Sequence, residues 1–185
     1  MSRRDIPNLI SVMRILLVAP VVWALATEQF ALALILFAVA GISDALDGFL
    51  AKHYHWESRL GSILDPIADK LLLVACFATL TWLTLLPLWL LWLVLIRDLL
   101  IVSGGLAYHY FVGRFDLTPL WSSKINTALQ IALVLLVIVQ QQWFHGVSQL
   151  VTVGIWLVAA SVINSGTEYV LVWGGRAWRQ FKQTK

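Results

Sequence analysis

Six apolar runs, at residues 7 to 27, 30 to 52, 63 to 84, 88 to 110, 123 to 142 and 147 to 172, leave this chain few folds to choose from. Each is close to the roughly 20 residues that an α-helix needs to cross a bilayer. Runs this long that do not alternate polar with apolar residues exclude the strands of a membrane barrel. The expected fold is all-α, a polytopic membrane protein built as a bundle of about six transmembrane helices. A composition of 60% hydrophobic and 12% charged residues lies outside the soluble globular range and agrees with this. No internal repeat, low-complexity tract or long linker divides the runs, so a single domain is expected over residues 1–185.

Cation placement orients the bundle. Arg3, Arg4, Lys52, Arg59, Arg114, Lys124, Arg176, Arg179, Lys182 and Lys185 fall on one side, whereas the turns near Glu28, Pro87 and His145 hold no Lys or Arg. By the positive-inside rule both termini are expected in the cytoplasm. The net charge of +3 gathers on that face, where it favours anionic lipid headgroups. With no extramembrane basic domain, nucleic acid is not an expected partner. Arg14 interrupts the first apolar run, which argues against reading Arg3-Arg4 and Ala24-Leu25-Ala26 as a cleavable secretion signal. No long Arg- and Ser-rich leader is evident, so the expected location is a bacterial inner (cytoplasmic) membrane. The single Cys76 lies in the third run and is expected to be a buried, inert thiol. Trp82, Trp89, Trp121, Trp143 and Trp173 lie near run ends, where interfacial anchoring accounts for them.

Four aspartates break into this apolar background. They are spaced D-x-x-D-G-x-x-A-K, eight residues, then G-x-x-x-D-x-x-x-D: Asp44, Asp47, Gly48, Ala51, Lys52, Gly61, Asp65 and Asp69. A carboxylate at the bilayer centre costs roughly 2.5 to 3.5 kcal/mol, so four cost on the order of 10 kcal/mol, as much as the net stability of a domain. Cations must offset that cost. On helices, Asp44 and Asp47 share one face, as do Asp65 and Asp69, so two neighbouring helices can aim all four at one place. Carboxylates without His or Cys partners suit hard divalent cations, Mg²⁺ or Mn²⁺. The alternative is a network of ion pairs with Lys52, Lys70 and Arg97, which would neutralise closely spaced acids poorly.

Further polar residues lie within the spans. Arg97 and Asp98 sit midway along the fourth run. Ser123, Lys124, Asn126, Thr127 and Gln130 open the fifth, and Ser161, Asn164, Ser165 and Glu168 recur at helical spacing in the sixth. They are expected to face a cytoplasmic-side cavity, with interhelical hydrogen bonding as the plainer explanation of the neutral members.

The aspartate pattern resembles the signature of the CDP-alcohol phosphatidyltransferases, D-x-x-D-G-x-x-A-R, eight residues, G-x-x-x-D-x-x-x-D, with Lys52 in place of the family Arg. Pro7-Asn8 with Ser11 and Arg14, Asp65-Pro66, Ala68-Asp69-Lys70, Arg97-Asp98, and Lys124 with Thr127 and Gln130 extend the likeness along most of the chain. The resemblance implies a six-helix membrane enzyme, usually a homodimer, that moves a phosphatidyl group from CDP-diacylglycerol to an alcohol and releases CMP. It implies two divalent ions, Mg²⁺ or Mn²⁺, held by Asp44, Asp47, Asp65 and Asp69, with Asp69 also the general base. Gly48, Lys52, Gly61 and Asn8 would face the cytidine diphosphate.

The acceptor is where family members differ. Phosphatidylglycerophosphate synthases carry a second Arg eight residues after the fourth-span Arg and a fifth span reading G-K-x-K-T. Here those places hold Gly105 and Ser123-Lys124-Ile125-Asn126-Thr127, so two cations suited to dianionic glycerol 3-phosphate are missing. The pattern is more similar to the CMP-forming cardiolipin synthases, whose acceptor is phosphatidylglycerol. Arg97, Lys124 and Gln130 are the candidate acceptor-binding residues, and phosphatidylglycerophosphate synthesis is the alternative. A divalent-cation transporter, from another class, would need polar residues through the outer halves of the helices, which near Leu85, Leu86 and Val147 are mostly apolar.

Overall fold

A computed structural model of the chain describes the backbone over residues 6–53, 61–111, 121–144 and 149–183, with side chains over 10–44, 67–105, 121–144 and 149–171. The described residues form six α-helices and no strand. In chain order these are α1 (Ile6–Ala26), α2 (Phe30–His53), α3 (Gly61–Trp82), α4 (Leu88–Phe111), α5 (Trp121–Trp143) and α6 (Gln149–Gln183). The boundaries follow the apolar runs to within about two residues, except that α6 continues to Gln183, beyond the expected end at 172. Hydropathy marks where a helix leaves lipid, and the backbone ladder need not stop there. Among the described residues α4 over Leu88–Gly105, α5 over Trp121–Trp143 and α6 over Gln149–Leu171 are each long and apolar enough to cross a membrane. The apolar stretches Ile10–Ala26 of α1 and Phe30–Asp44 of α2 are shorter.

Two tight turns end α1 and α3 in the same way. Glu28 (φ 57°) and Thr84 (φ 60°) adopt the left-handed conformation. Glu28 N–H donates to Leu25 O and Gln29 N–H to Ala24 O; Thr84 N–H donates to Thr81 O and Leu85 N–H to Leu80 O. Both are Schellman caps, which satisfy the last helical carbonyls but ordinarily place Gly at the left-handed position.

The contacts gather into two compact units. The first contains Met1–Leu86 and Val134–Gly146, the second Pro87–Leu133 and Val147–Lys185. In the first, α1 packs against both α2 and α3. Its buried residues fall in helical stripes: Ser11, Arg14, Val21 and Leu25 on α1, and Phe30, Ala33, Phe37 and Ala40 on α2. Small residues in these stripes, such as Ala24, Ala33 and Ala40, allow close approach of the backbones, as membrane helices require. Cys76 is a free, fully buried thiol on α3. In the second unit α4 packs on α6. The buried stripes are Leu90, Val94 and Arg97 on α4, Asn126, Gln130 and Leu133 on α5, and Val158, Val162, Ser165 and Tyr169 on α6. Large apolar side chains such as Leu16, Ile35, Leu99 and Trp156 point outward. Water would penalise such a surface, whereas lipid tails solvate it.

Candidate active site

The buried stripe of α1 is apolar at Val21 and Leu25 but turns polar at Ser11 and Arg14. Arg14 is 1% exposed, a full charge within a helix interface. It reaches two other helices. Asp44 stands at the next position of the α2 stripe, four residues after Ala40, and Asp69 adjoins the buried Ala68 on α3. Arg14 Nη2 lies 2.6 Å from Asp44 Oδ1, and Nη1 donates to Asp69 Oδ1 at 2.6 Å. The contact to Asp69 has hydrogen-bond geometry, and that to Asp44 is a close ion pair, so the delocalised charge of one guanidinium serves carboxylates on two helices. The acids are 43% and 47% exposed, so the guanidinium is enclosed while both carboxylates remain accessible.

The second unit is organised around Arg97, 5% exposed on α4. Its Nη1 donates to Asp98 Oδ1 at 2.8 Å, and its Nη2 to Ser123 Oγ on α5 at 2.7 Å and Ser165 Oγ on α6 at 2.6 Å. The guanidinium carbon also lies 5.9 Å from the Tyr169 ring centroid, within cation–π range. Ser161 Oγ–H is 2.8 Å from Asn126 Oδ1, a further contact between α6 and α5. An apolar groove of about 450 Å³ runs along α4 and α6, lined by Leu93, Leu100, Val162 and Val170 among others, and Arg97 is its one charged lining residue. Lys124 is exposed, with Nζ 5.0 Å from the Trp121 ring centroid.

Of the residues expected from sequence, Asp44 and Asp69 are brought together by a cation on a third helix. It is Arg14, 55 residues from Asp69. Asp47, Gly48 and Lys52 lie on the α2 backbone, Gly61 and Asp65 on α3, and Asn8 on α1, but their side chains fall outside the described residues. Among the described residues no three His, Cys, Asp or Glu side chains form a metal-binding group. Gln130 is buried with its Nε2 lacking a hydrogen-bond acceptor. The polar stripe expected on α6 is divided: Ser165 is buried and bonded to Arg97, whereas Asn164 is exposed. Arg14 was visible in the sequence as a charge within an apolar run, but no local spacing linked it to acids on other helices.

The chain has relatives among known proteins. The family model for CDP-alcohol phosphatidyltransferases matches residues 4–163. The human protein named cardiolipin synthase (CMP-forming) is 35% identical over 145 residues, covering 70% of this chain and 48% of its own length. A chloroplastic CDP-diacylglycerol–glycerol-3-phosphate 3-phosphatidyltransferase of rice is 34% identical over 183 residues, covering 89% of this chain and 56% of its own. The Escherichia coli protein named CDP-diacylglycerol–glycerol-3-phosphate 3-phosphatidyltransferase is 31% identical over 140 residues, covering 68% and 72%. The chain spans about half the length of the human and rice relatives. With a family match through most of the chain, relatives above 30% identity and Asp44 and Asp69 of the signature paired at one point, the chain belongs to the CDP-alcohol phosphatidyltransferase family.

Proposed function

We propose that this protein is a membrane phosphatidyltransferase that transfers the phosphatidyl group of CDP-diacylglycerol to a hydroxyl of phosphatidylglycerol, forming cardiolipin and CMP. The acceptor hydroxyl attacks the phosphorus attached to diacylglycerol. A new P–O bond forms, the pyrophosphate P–O bond breaks, and CMP departs with the bonding electron pair. Asp69 takes the hydroxyl proton, a role its half-exposed carboxylate suits. Gly48, Gly61, Lys52 and Asn8 face the cytidine diphosphate, with Lys52 supplying a point charge where the family has a guanidinium. The catalytic domain occupies residues 1–185, works as a homodimer, and faces the cytoplasm with both termini on that side of the inner membrane.

Divalent-metal dependence is general in this family. The donor chemistry fits it: Asp44 and Asp69 offer oxygen ligands from two helices and are half exposed. Asp44, Asp47, Asp65 and Asp69 would hold two ions, Mg²⁺ or Mn²⁺. When bound, these supply Lewis-acid stabilisation of the pyrophosphate oxygens and the departing CMP.

The acceptor reading is carried by Arg97, which borders an apolar groove. A lipid acceptor presents both a singly charged phosphodiester and acyl chains, and the groove offers apolar surface beside a cation. Among the described residues of the second unit the cations are Arg97 and Lys124, and Gly105 and the neutral, buried Asn126 occupy the places where further cations would hold a dianion. Gln130 Nε2 is a donor in want of an acceptor oxygen. Glycerol 3-phosphate remains the second reading, because relatives named for that acceptor match at similar identity. The test is CMP release by the purified full chain with CDP-diacylglycerol and Mg²⁺ or Mn²⁺, given phosphatidylglycerol or glycerol 3-phosphate. Release with phosphatidylglycerol alone is expected, and release with glycerol 3-phosphate alone would replace it with the second reading.

A further inference from the structure

Arg14 is placed asymmetrically for a structural ion pair. The guanidinium is enclosed at 1% exposure, whereas its two partners, Asp44 and Asp69, are 43% and 47% exposed. Here one cation meets two acids, from two different helices, at 2.6 Å each. A second positive charge arriving at the exposed side of the same carboxylates must share them with it.

We propose that Arg14 is a positioning residue that acts as a built-in counter-cation. In the metal-free protein it holds Asp44 and Asp69 at a fixed separation against their mutual repulsion. When a divalent ion binds, the same charge opposes it, so the ion is held less tightly than the acids alone would hold it. This rests on the reading of Asp44 and Asp69 as metal-binding carboxylates. Lysine could supply the charge, but a single ammonium cannot reproduce the two-pronged contact.

The test uses the purified full chain in lipid nanodiscs, with Mn²⁺ as probe. Free Mn²⁺ is measured by electron paramagnetic resonance, and thermal unfolding is followed in EDTA and in saturating Mn²⁺. For Arg14→Gln, Mn²⁺ binding is expected to tighten by about threefold or more as one opposing charge is removed. Its unfolding temperature should fall further in EDTA than in Mn²⁺, because the metal supplies the missing charge. Arg14→Lys should keep Mn²⁺ affinity within about twofold of wild type, since the charge remains, while still losing stability in EDTA. Weaker Mn²⁺ binding by Arg14→Gln, or equal destabilisation in both media, would overturn the proposal. A variant that unfolds in EDTA yet melts cooperatively in Mn²⁺ supports it, and one unfolded in both overturns it. If the wild-type chain takes up Mn²⁺ and Arg14→Gln does not tighten, Arg14's role fails alone. If wild type takes up none, the metal reading fails and the role of Arg14 with it.

Discussion

Replacing Asp98 in two ways separates the charge of its contact with Arg97 from the hydrogen bond itself. Asp98 is 19% exposed, and its Oδ1 accepts from Arg97 Nη1 at 2.8 Å. Asp98→Asn keeps an oxygen acceptor in the same place and removes the negative charge. Arg97 remains charged, so its bond to the Asn oxygen is still charge-assisted, and the lost attraction of this part-exposed pair is about 1 kcal/mol. The loss is small because the variant also escapes the cost of placing a carboxylate within a membrane span. Asp98→Ala is a different perturbation. It removes the same charge and also leaves Nη1 without that acceptor, and breaking an ion pair with no replacement acceptor costs about 3 to 5 kcal/mol when fully buried. The partial exposure of Asp98 places it near the lower end, about 3 kcal/mol. For a chain of this size 1 kcal/mol moves the melting temperature by about 2 to 4 °C, giving shifts of roughly 3 °C for Asn and roughly 9 °C for Ala. Tryptophan fluorescence in detergent is a suitable assay, since Trp89 on α4 and Trp156 on α6 lie 5.5 Å apart between ring centroids and report on that helix pair. Equal shifts for the two variants would refute the reasoning, because they would show that the charge of Asp98 carries the entire contact.

Other variants test separate parts of the structure. Thr84→Gly should stabilise the protein by about 1 kcal/mol, because a β-branched residue is costly in the left-handed region and glycine is not; Glu28→Gly should gain less, and unchanged melting temperatures would show that the two caps carry no strain. Asp69→Asn should lower phosphatidyl transfer by about 10²-fold or more if Asp69 is the general base, and a variant with full CMP release would remove that assignment. Ser165→Ala deletes a charge-assisted acceptor for Arg97 and should cost about 1.5 to 3 kcal/mol in thermal stability, with a loss below 0.5 kcal/mol showing that Ser123 alone suffices. Cys76, fully buried, should react with a maleimide only after denaturation, and labelling of the native chain would contradict its burial.

The helices were legible in the sequence because each apolar run is long enough to satisfy its own backbone and is bounded by residues that leave lipid. The turns were less so. Neither Glu28 nor Thr84 is the glycine that marks a left-handed cap, and their conformation is set by the carbonyls of Ala24 and Leu80 finding donors. The aspartate signature pointed to a nearby positive charge, since its cost in lipid exceeds what four unpartnered acids could sustain, and Arg14 is one such charge. The partner of that signature was not legible. Arg14 lies 30 residues from Asp44, and only the packing of α1 against α2 and α3 brings it there. The trace it left was periodic: Ser11, Arg14, Val21 and Leu25 share one face, so a charge stood in line with core residues. Asn164 differs from its neighbour on α6: its side chain is exposed, whereas Ser165 is buried.

The two buried arginines are balanced differently, and the difference bears on which acids take up cations. Arg97 meets one carboxylate and two hydroxyls, contacts that join α4, α5 and α6 beside the apolar groove. Arg14 meets two carboxylates, one from α2 and one from α3, both of them half exposed. Divalent ions should therefore change the stability of the Arg14 group and leave the Arg97 group unaffected. Thermal melts of Asp98→Asn in EDTA and in Mn²⁺ should show the same loss relative to wild type, about 3 °C in each. Arg14→Gln should show a loss that shrinks in Mn²⁺. Metal-dependent destabilisation by Asp98→Asn would mean that Arg97 and Asp98 respond to the same ions, and the division of labour drawn from their partners would be wrong.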